Sequence, residues 1–198
     1  MDRIAGVILA GGQARRMGGI AKGMLRPDRR LSLIERLVVH MMRAGVDEIV
    51  IAANDERPYT RIGCVVVPDQ RIEAGPLAGL EAALTYFADR YETVLCLPCD
   101  LPSLSWKEIS SLTATFAETG APVVFARTQG SGDHPLCAVL CANLLGRVSA
   151  ALDRGEYGAR DLWLQLGGAV VAFDDPRAFV NLNSPADVNA WLAGNCNG

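Results

Sequence analysis

The chain has 198 residues, half of them apolar and 21% charged, with a mean hydropathy of +0.19. A domain of this size buries about 70% of the surface its unfolded chain exposes, so it can fold without disulfide or metal staples, and the composition excludes disorder for most of the chain. The net charge of −3 argues against nonspecific nucleic-acid binding, and no run approaches the ~18 consecutive apolar residues of a membrane span.

Residues 3–9 form the first predicted strand. Their apolar run mimics a short signal-peptide core. Arg15 and Arg16 follow at once, however, with no small-residue cleavage region, so it reads as a buried strand of a cytoplasmic protein. Leu33, Ile34, Leu37, Val38, Met41 and Met42 then recur at helical spacing, behind a capping box of Ser32 and Glu35 and ahead of Gly45. Strands are expected at 47–52 and 63–67, and a second helix opens at Gly75-Pro76 with Leu77, Leu80, Leu84 and Phe87. After a strand at 92–97, Ser105 and Glu108 cap a third helix whose Ile109, Leu112 and Phe116 face inward. Strands at 121–126 and 135–141 flank the polar break Gln129 to Asp133, which suits an antiparallel connection. A strand at 168–173 precedes a last helix, opened by Ser184-Pro185-Ala186-Asp187 and carrying Val188 and Trp191. The alternation predicts a single-domain, Rossmann-like α/β fold over residues 1–193. Its sheet is mainly parallel, with an antiparallel strand toward the C-terminal half, and 194–198 form a disordered tail.

Charge is unevenly placed. Residues 1–30 hold seven basic side chains against Asp2 and Asp28, so the remainder carries −8. A basic, glycine-rich start on an acidic protein points to a small polyanion. The first strand runs into Ala10-Gly11-Gly12-Gln13-Ala14-Arg15-Arg16-Met17-Gly18-Gly19-Ile20-Ala21-Lys22. In open α/β sheets ligands gather outside the carboxyl ends of strands, and glycines let backbone N–H groups approach phosphate oxygens. Arg15, Arg16 and Lys22 add positive charge. Neither a GxxxxGK[ST] P-loop nor a GxGxxG dinucleotide fingerprint is present. The plainer reading is a glycine-rich turn with surface arginines.

Cys96 and Cys99 have CxxC spacing, and Cys137 with Cys141 could complete a four-thiolate zinc site. The favoured reading is that these small thiols fill strand interiors, since they lie in or beside apolar runs.

The whole string Leu9-Ala10-Gly11-Gly12-x3-Arg16-Met17-Gly18-x3-Lys22 resembles the signature of the molybdenum cofactor guanylyltransferases. Asp69 with Gly75-Pro76-Leu77-Ala78-Gly79, Pro98-Cys99-Asp100-Leu101-Pro102, Asp133-His134-Pro135 and Phe179-Val180-Asn181-Leu182-Asn183-Ser184-Pro185 fit the same family in consistent order, over residues 3–193. The resemblance implies a nucleotidyltransferase fold and the transfer of GMP from GTP to the terminal phosphate of molybdenum-molybdopterin, with Mg²⁺ and release of pyrophosphate. It implies nucleotide contacts at Leu9, Ala10, Gly11, Gly12, Lys22, Asp69, Gly75, Pro76, Leu77, Gly79 and Asp100. Arg16, Lys22 and Asp100 are the implied catalytic groups, with Asp100 on the metal. His134, Asn181 and Asn183 are implied at the acceptor. Other cofactor-biosynthesis or molybdoenzyme-maturation proteins are the implied protein partners, and neither nucleic acid nor membrane is expected.

Each residue also has a plainer reading. Asp100 could cap the following helix, Asp69 fits ordinary turn chemistry after Pro68, His134 could be a hydrogen-bonded structural histidine, and Asn181 and Asn183 suit turns. Two positions depart from the family. Ala21 stands where an aspartate usually precedes the lysine, and Tyr157-Gly158 stands where a basic pair follows Gly155-Glu156, with Arg160 arriving later. One rival is a cytidylyltransferase of the same pathway, although those resemble Leu-Ala-Ala-Gly at the loop and Gly11 leaves room for a purine edge. The other rival is a nucleotide-binding or docking protein without catalysis.

Overall fold

The computed structural model describes residues 3–11, 21–71, 73–130 and 132–195. Among them seven strands form one sheet: β1 (Ile4–Leu9), β2 (Glu48–Ala52), β3 (Val65–Val67), β4 (Thr93–Pro98), β5 (Val123–Thr128), β6 (Gly132–Cys141) and β7 (Ala169–Phe173). Their order is β3-β2-β1-β4-β6-β5-β7. β1 lies parallel to β2 and β4, β2 to β3, and β5 to β7, while β6 runs against β4 and β5. This is the α/β architecture expected from the alternation of strand and helix patterns.

Six α-helices cover the sheet: α1 (Leu33–Arg43), α2 (Pro76–Phe87), α3 (Trp106–Thr119), α4 (Leu145–Asp153), α5 (Ala159–Gln165) and α6 (Pro185–Asn195) among the described residues. Both expected capping boxes form. Ser32 Oγ accepts from Glu35 N at 3.2 Å while Ser32 N donates to Glu35 Oε2 at 2.6 Å, and Ser105 N donates to Glu108 Oε2 at 2.9 Å. Strand side chains alternate between two core layers. Val7, Val50, Val94 and Phe125 join the layer with α2, α4 and α5, whereas Ile8, Ile51, Leu95 and Val124 join the layer with α1 and α3. A Cβ on Gly79 would stand 3.1 Å from Ala52 Cβ and 3.3 Å from Leu9 Cδ2, so the close seat of α2 on β1 and β2 depends on glycine there.

Strand positions agree with expectation to within two residues except at β6, which begins three residues early. Pro135 has no N–H for the ladder and reads in sequence as a strand start. The chain instead carries it in a bulge, with Phe125 opposite Ala138 but Ala126 opposite His134. Trp163 of α5, fully buried, donates its Nε1 to the Pro135 carbonyl inside that bulge at 2.8 Å. The sequence reading missed α4 and α5, which at nine and seven residues are shorter than the window over which a helical period shows. α6 continues through Asn195, so two residues of the expected tail are helical, and 196–198 lie outside the described residues. No helix of the described residues is long and apolar enough to cross a membrane.

Candidate active site

Strand order reverses between β1 and β4: the chain leaves β1 toward β2 and leaves β4 toward the β6 side. The loops after two such strands diverge and open a crevice at their carboxyl ends. Two backbone bonds hold its floor together, Ala10 N to Ala52 O at 2.9 Å and Cys99 N to Leu9 O at 3.0 Å. Gly11 follows, exposed, and among the described residues a Cβ on it would meet only Ala52 O, at 4.0 Å.

Lys22 opens a short 3₁₀ turn, Lys22–Met24. A Cβ on the buried Gly23 would fall 2.5 Å from Ile34 Cδ1 and 3.5 Å from Cys99 Cβ, so this turn is pressed onto α1 and the end of β4. Core packing therefore sets where the lysine starts. Its Nζ donates to Asp100 Oδ2 at 2.5 Å and to Asn183 Oδ1 at 2.7 Å. The Asp100 carbonyl accepts from Leu182 N at 3.0 Å. Asp187 Oδ2 accepts from Asn183 N at 2.7 Å and Ser184 N at 2.8 Å, which fixes the segment before α6. Three expected site residues, Lys22, Asp100 and Asn183, thus meet on one ammonium.

Asp100 Oδ1 is buried and has no hydrogen-bond partner among the described residues. Leaving such an oxygen unsatisfied costs about 1–3 kcal/mol, so it has capacity for a partner from outside the described residues. The alternative of a helix-capping Asp100 does not apply, because Ser105 caps α3. Asp69 Oδ1 is also buried without a partner among the described residues, while Asp69 N donates to Asn54 Oδ1 at 3.0 Å. Gly75, at φ +70°, and Pro76 are exposed at the start of α2. Leu77 is fully buried, so its side chain anchors α2 in the core, as the absent side chain of Gly79 also does.

On the other side of β4, His134 Nε2 bonds Thr128 Oγ1 at 2.9 Å and its ring stacks on Phe179 at 4.8 Å. Burial lowers its pKa, against a smaller opposing influence of Asp133, so the ring is neutral at pH 7. Asn181 is exposed. Gly12 and Arg16 lie outside the described residues. Sequence reasoning missed Thr128, Asn54 and the hold of Asp187 on Asn183. Only the last had a readable signal, the three-residue spacing from Ser184.

Cys96, Cys99 and Cys137 occupy core positions, while Cys64 and Cys141 are partly exposed. Cys96 lies in the layer with α2, whereas Cys99 and Cys137 lie in the layer with α1 and α3. Burial pushes the Cys96 and Cys99 thiols up to about 12, far from the thiolate a metal needs.

The chain matches the MobA-like NTP transferase domain family over residues 6–170. It is 38% identical over 196 residues to the molybdenum cofactor guanylyltransferase of Burkholderia vietnamiensis (strain G4 / LMG 22486), covering 91% of each chain. It is 35% identical over 187 residues to that of Shewanella halifaxensis (strain HAW-EB4), covering 92% of this chain and 90% of the relative. Among solved structures, molybdopterin-guanine dinucleotide biosynthesis protein A from Archaeoglobus fulgidus superposes with a TM-score of 0.76 at 20% identity over 98% of both chains. CMP:2-keto-3-deoxy-manno-octonic acid synthetase complexed with CTP also reaches 0.76, at 13% identity over 96% of this chain and 97% of that one, and shares the fold. Matched along most of its length by sequence as well as by fold, the chain belongs to the MobA-like NTP transferase family, with the molybdenum cofactor guanylyltransferases.

Proposed function

We propose that the protein transfers GMP from GTP to the terminal phosphate of molybdenum-molybdopterin. An acceptor phosphate oxygen attacks the α-phosphorus, the bond to the β-phosphate oxygen breaks, and pyrophosphate leaves. One observation carries this reading: an ammonium shared by Asp100 and Asn183, beside a buried Asp100 oxygen that has no partner among the described residues. Such transfers need positioning and charge neutralisation more than covalent help. Ala10 and Gly11 offer backbone approach to the nucleotide, and Lys22 follows the triphosphate charge. Asp69 Oδ1 accepts from a nucleotide N–H or O–H. Asp100 Oδ1 fits Mg²⁺, which takes one or two carboxylates and completes its shell with phosphate oxygens and water. When bound, the ion neutralises charge on the leaving pyrophosphate. The family's reaction and the free thiols Cys64, Cys96, Cys99, Cys137 and Cys141 support a cytoplasmic setting, from which the product passes to cofactor-biosynthesis or molybdoenzyme-maturation proteins. The test is pyrophosphate release from GTP with Mg²⁺ on addition of molybdopterin; nucleotide binding without release would leave a non-catalytic binder.

Gly11 distinguishes GTP from CTP. Among the described residues a methyl there meets no atom closer than 4.0 Å, so Gly11→Ala is expected to keep the fold and to act on the ligand. Calorimetry with Mg²⁺ is expected to rank GTP above ATP, CTP and UTP, with GTP weakened by the substitution. Equal binding of all four nucleotides would remove the guanine assignment.

The acceptor side is assigned to His134, Asn181 and Asn183, which offer hydrogen bonds without permanent charge. His134→Ala and Asn181→Ala should leave GTP affinity within about twofold and reduce acceptor-dependent turnover about tenfold or more, which is ~1.4 kcal/mol. If GTP binding collapses instead while acceptor affinity holds, the two walls are assigned the wrong way round.

A further inference from the structure

β5 and β6 bring Arg127 opposite Asp133, and α5 brings Arg160 to the same carboxylate. Arg127 Nε donates to Asp133 Oδ1, and Arg160 Nε donates to Asp133 Oδ2 at 2.6 Å. The carboxylate is 8% exposed, whereas the arginine side chains are 45% and 51% exposed. Asp133 is therefore the buried post and the guanidiniums are the outward groups. Hydrogen bonding from Arg127, then from Arg160, holds the Asp133 carboxyl down to about 2, so the cluster stays charged throughout the neutral range.

Both arginines bind side-on through Nε. The Nη groups of Arg127 have no partner among the described residues, and Arg160 spends only Nη1, on Asp161 Oδ1 at 3.4 Å. Asp161 is 77% exposed, so this pair is a weak one that an incoming anion can displace. The two guanidiniums balance Asp133 and Asp161 in formal charge, but they are the outward groups over a buried carboxylate and keep several N–H donors unspent, suited to an anionic oxygen. The platform is rigid as well as charged. α5 is fastened to β6 twice, by Arg160 on Asp133 and by Trp163 on the Pro135 carbonyl in the bulge. It stands at the carboxyl end of β5, next to His134. Tyr157, two residues before α5, extends the rim toward the start of α2: its Cβ is 3.9 Å from where a Cβ on Gly75 would be.

We propose that Arg127 and Arg160, cross-braced by Asp133, form the anion clamp that captures the phosphate-bearing acceptor, with Asp133 as the residue that positions both. This rests on the guanylyl-transfer reading, in which the Lys22 loop serves one phosphate-bearing substrate and the other needs its own cationic seat. Binding of molybdopterin, followed by its pterin fluorescence, tests the clamp without requiring turnover. Arg127→Ala and Arg160→Ala each leave Asp133 one partner, so both should fold, which thermal melting checks. Each is expected to weaken molybdopterin at least tenfold and to flatten its salt dependence, with GTP affinity within twofold. Arg160→Lys should restore binding only in part, because a lysine cannot brace Asp133 side-on. Asp133→Asn keeps the shape but loosens both guanidiniums, and should weaken the acceptor several-fold with an intermediate salt slope. Undiminished molybdopterin binding in both alanine variants, or no binding by the parent protein, would overturn the clamp. Pyrophosphate release is measured separately. A parent protein that binds molybdopterin through these arginines but releases none would sink the guanylyl-transfer reading and leave the clamp standing.

Discussion

Asp100→Ala is expected to lower guanylyl transfer about 100-fold or more with the fold intact, the scale seen when a group that stabilises developing charge is removed. The fold should hold because the backbone of residue 100 does the structural work: its carbonyl accepts from Leu182 N, and that bond survives the substitution. Lys22 loses one partner but keeps Asn183 Oδ1 at 2.7 Å. Removing the side chain also removes a buried oxygen that has no partner among the described residues, which offsets the lost ion pair. Stability should therefore change by no more than about 1 kcal/mol. Asp100→Asn separates charge from shape, since the amide keeps the Lys22 contact through its oxygen but is a poor ligand for Mg²⁺. Melting temperature and pyrophosphate release, measured together, check this. A folded Asp100→Ala protein with near-normal release would remove Asp100 from the reaction.

Lys22→Ala should reduce turnover by a similar factor, with a different signature. The ammonium can follow charge along the triphosphate, so its loss should fall on kcat and GTP affinity together. Lys22→Arg should recover only part, because a planar fork cannot sit between Asp100 and Asn183 as a compact ammonium does. The chain offers little substitution from nearby, since Lys22 is one of only two lysines and the other, Lys107, lies on α3. Single-turnover rates at saturating GTP measure the kcat component, and calorimetry measures the other. Full activity in Lys22→Ala would shift the burden to backbone amides or Arg16.

Much of this was legible in the sequence, for reasons that differ by element. β1, β2 and β4 contribute side chains to both core layers, so their centres, such as Ile49 to Ala52 and Val94 to Leu97, read as apolar runs. α1 and α3 announce themselves through Ser-x-x-Glu, a local code that needs no tertiary knowledge. Lys22 stands out as a cation in a glycine-rich loop after the first strand, and Asp100 through the resemblance of Pro98-Cys99-Asp100-Leu101-Pro102 to the family motif. Other features depend on register. Arg127 and Asp133 are six residues apart, and nothing local says they face one another until the hairpin and the Pro135 bulge are known. α4 and α5 are too short for a period to emerge, so Arg160 is visible in the sequence but its placement on a helix facing Asp133 is not. Leu77 shows a different limit: the motif it sits in resembles a nucleotide-contacting one, while burial gives its side chain a core role that the motif alone does not reveal.

The bond from Lys22 to Asn183 spans 161 residues of sequence. This has a consequence for how the protein is born. A nascent chain that has emerged as far as Phe173 possesses every strand of the described sheet and can assemble most of its core, yet lacks Asn183 and the Asp187 that steadies it. Architecture and reactive centre are therefore completed at different moments of synthesis. A chain arrested between these points would be well folded over most of its length, protease-resistant and inert. Ribosome-stalled chains of graded length should show it as an interval in which resistance has already risen and guanylyl transfer has not begun.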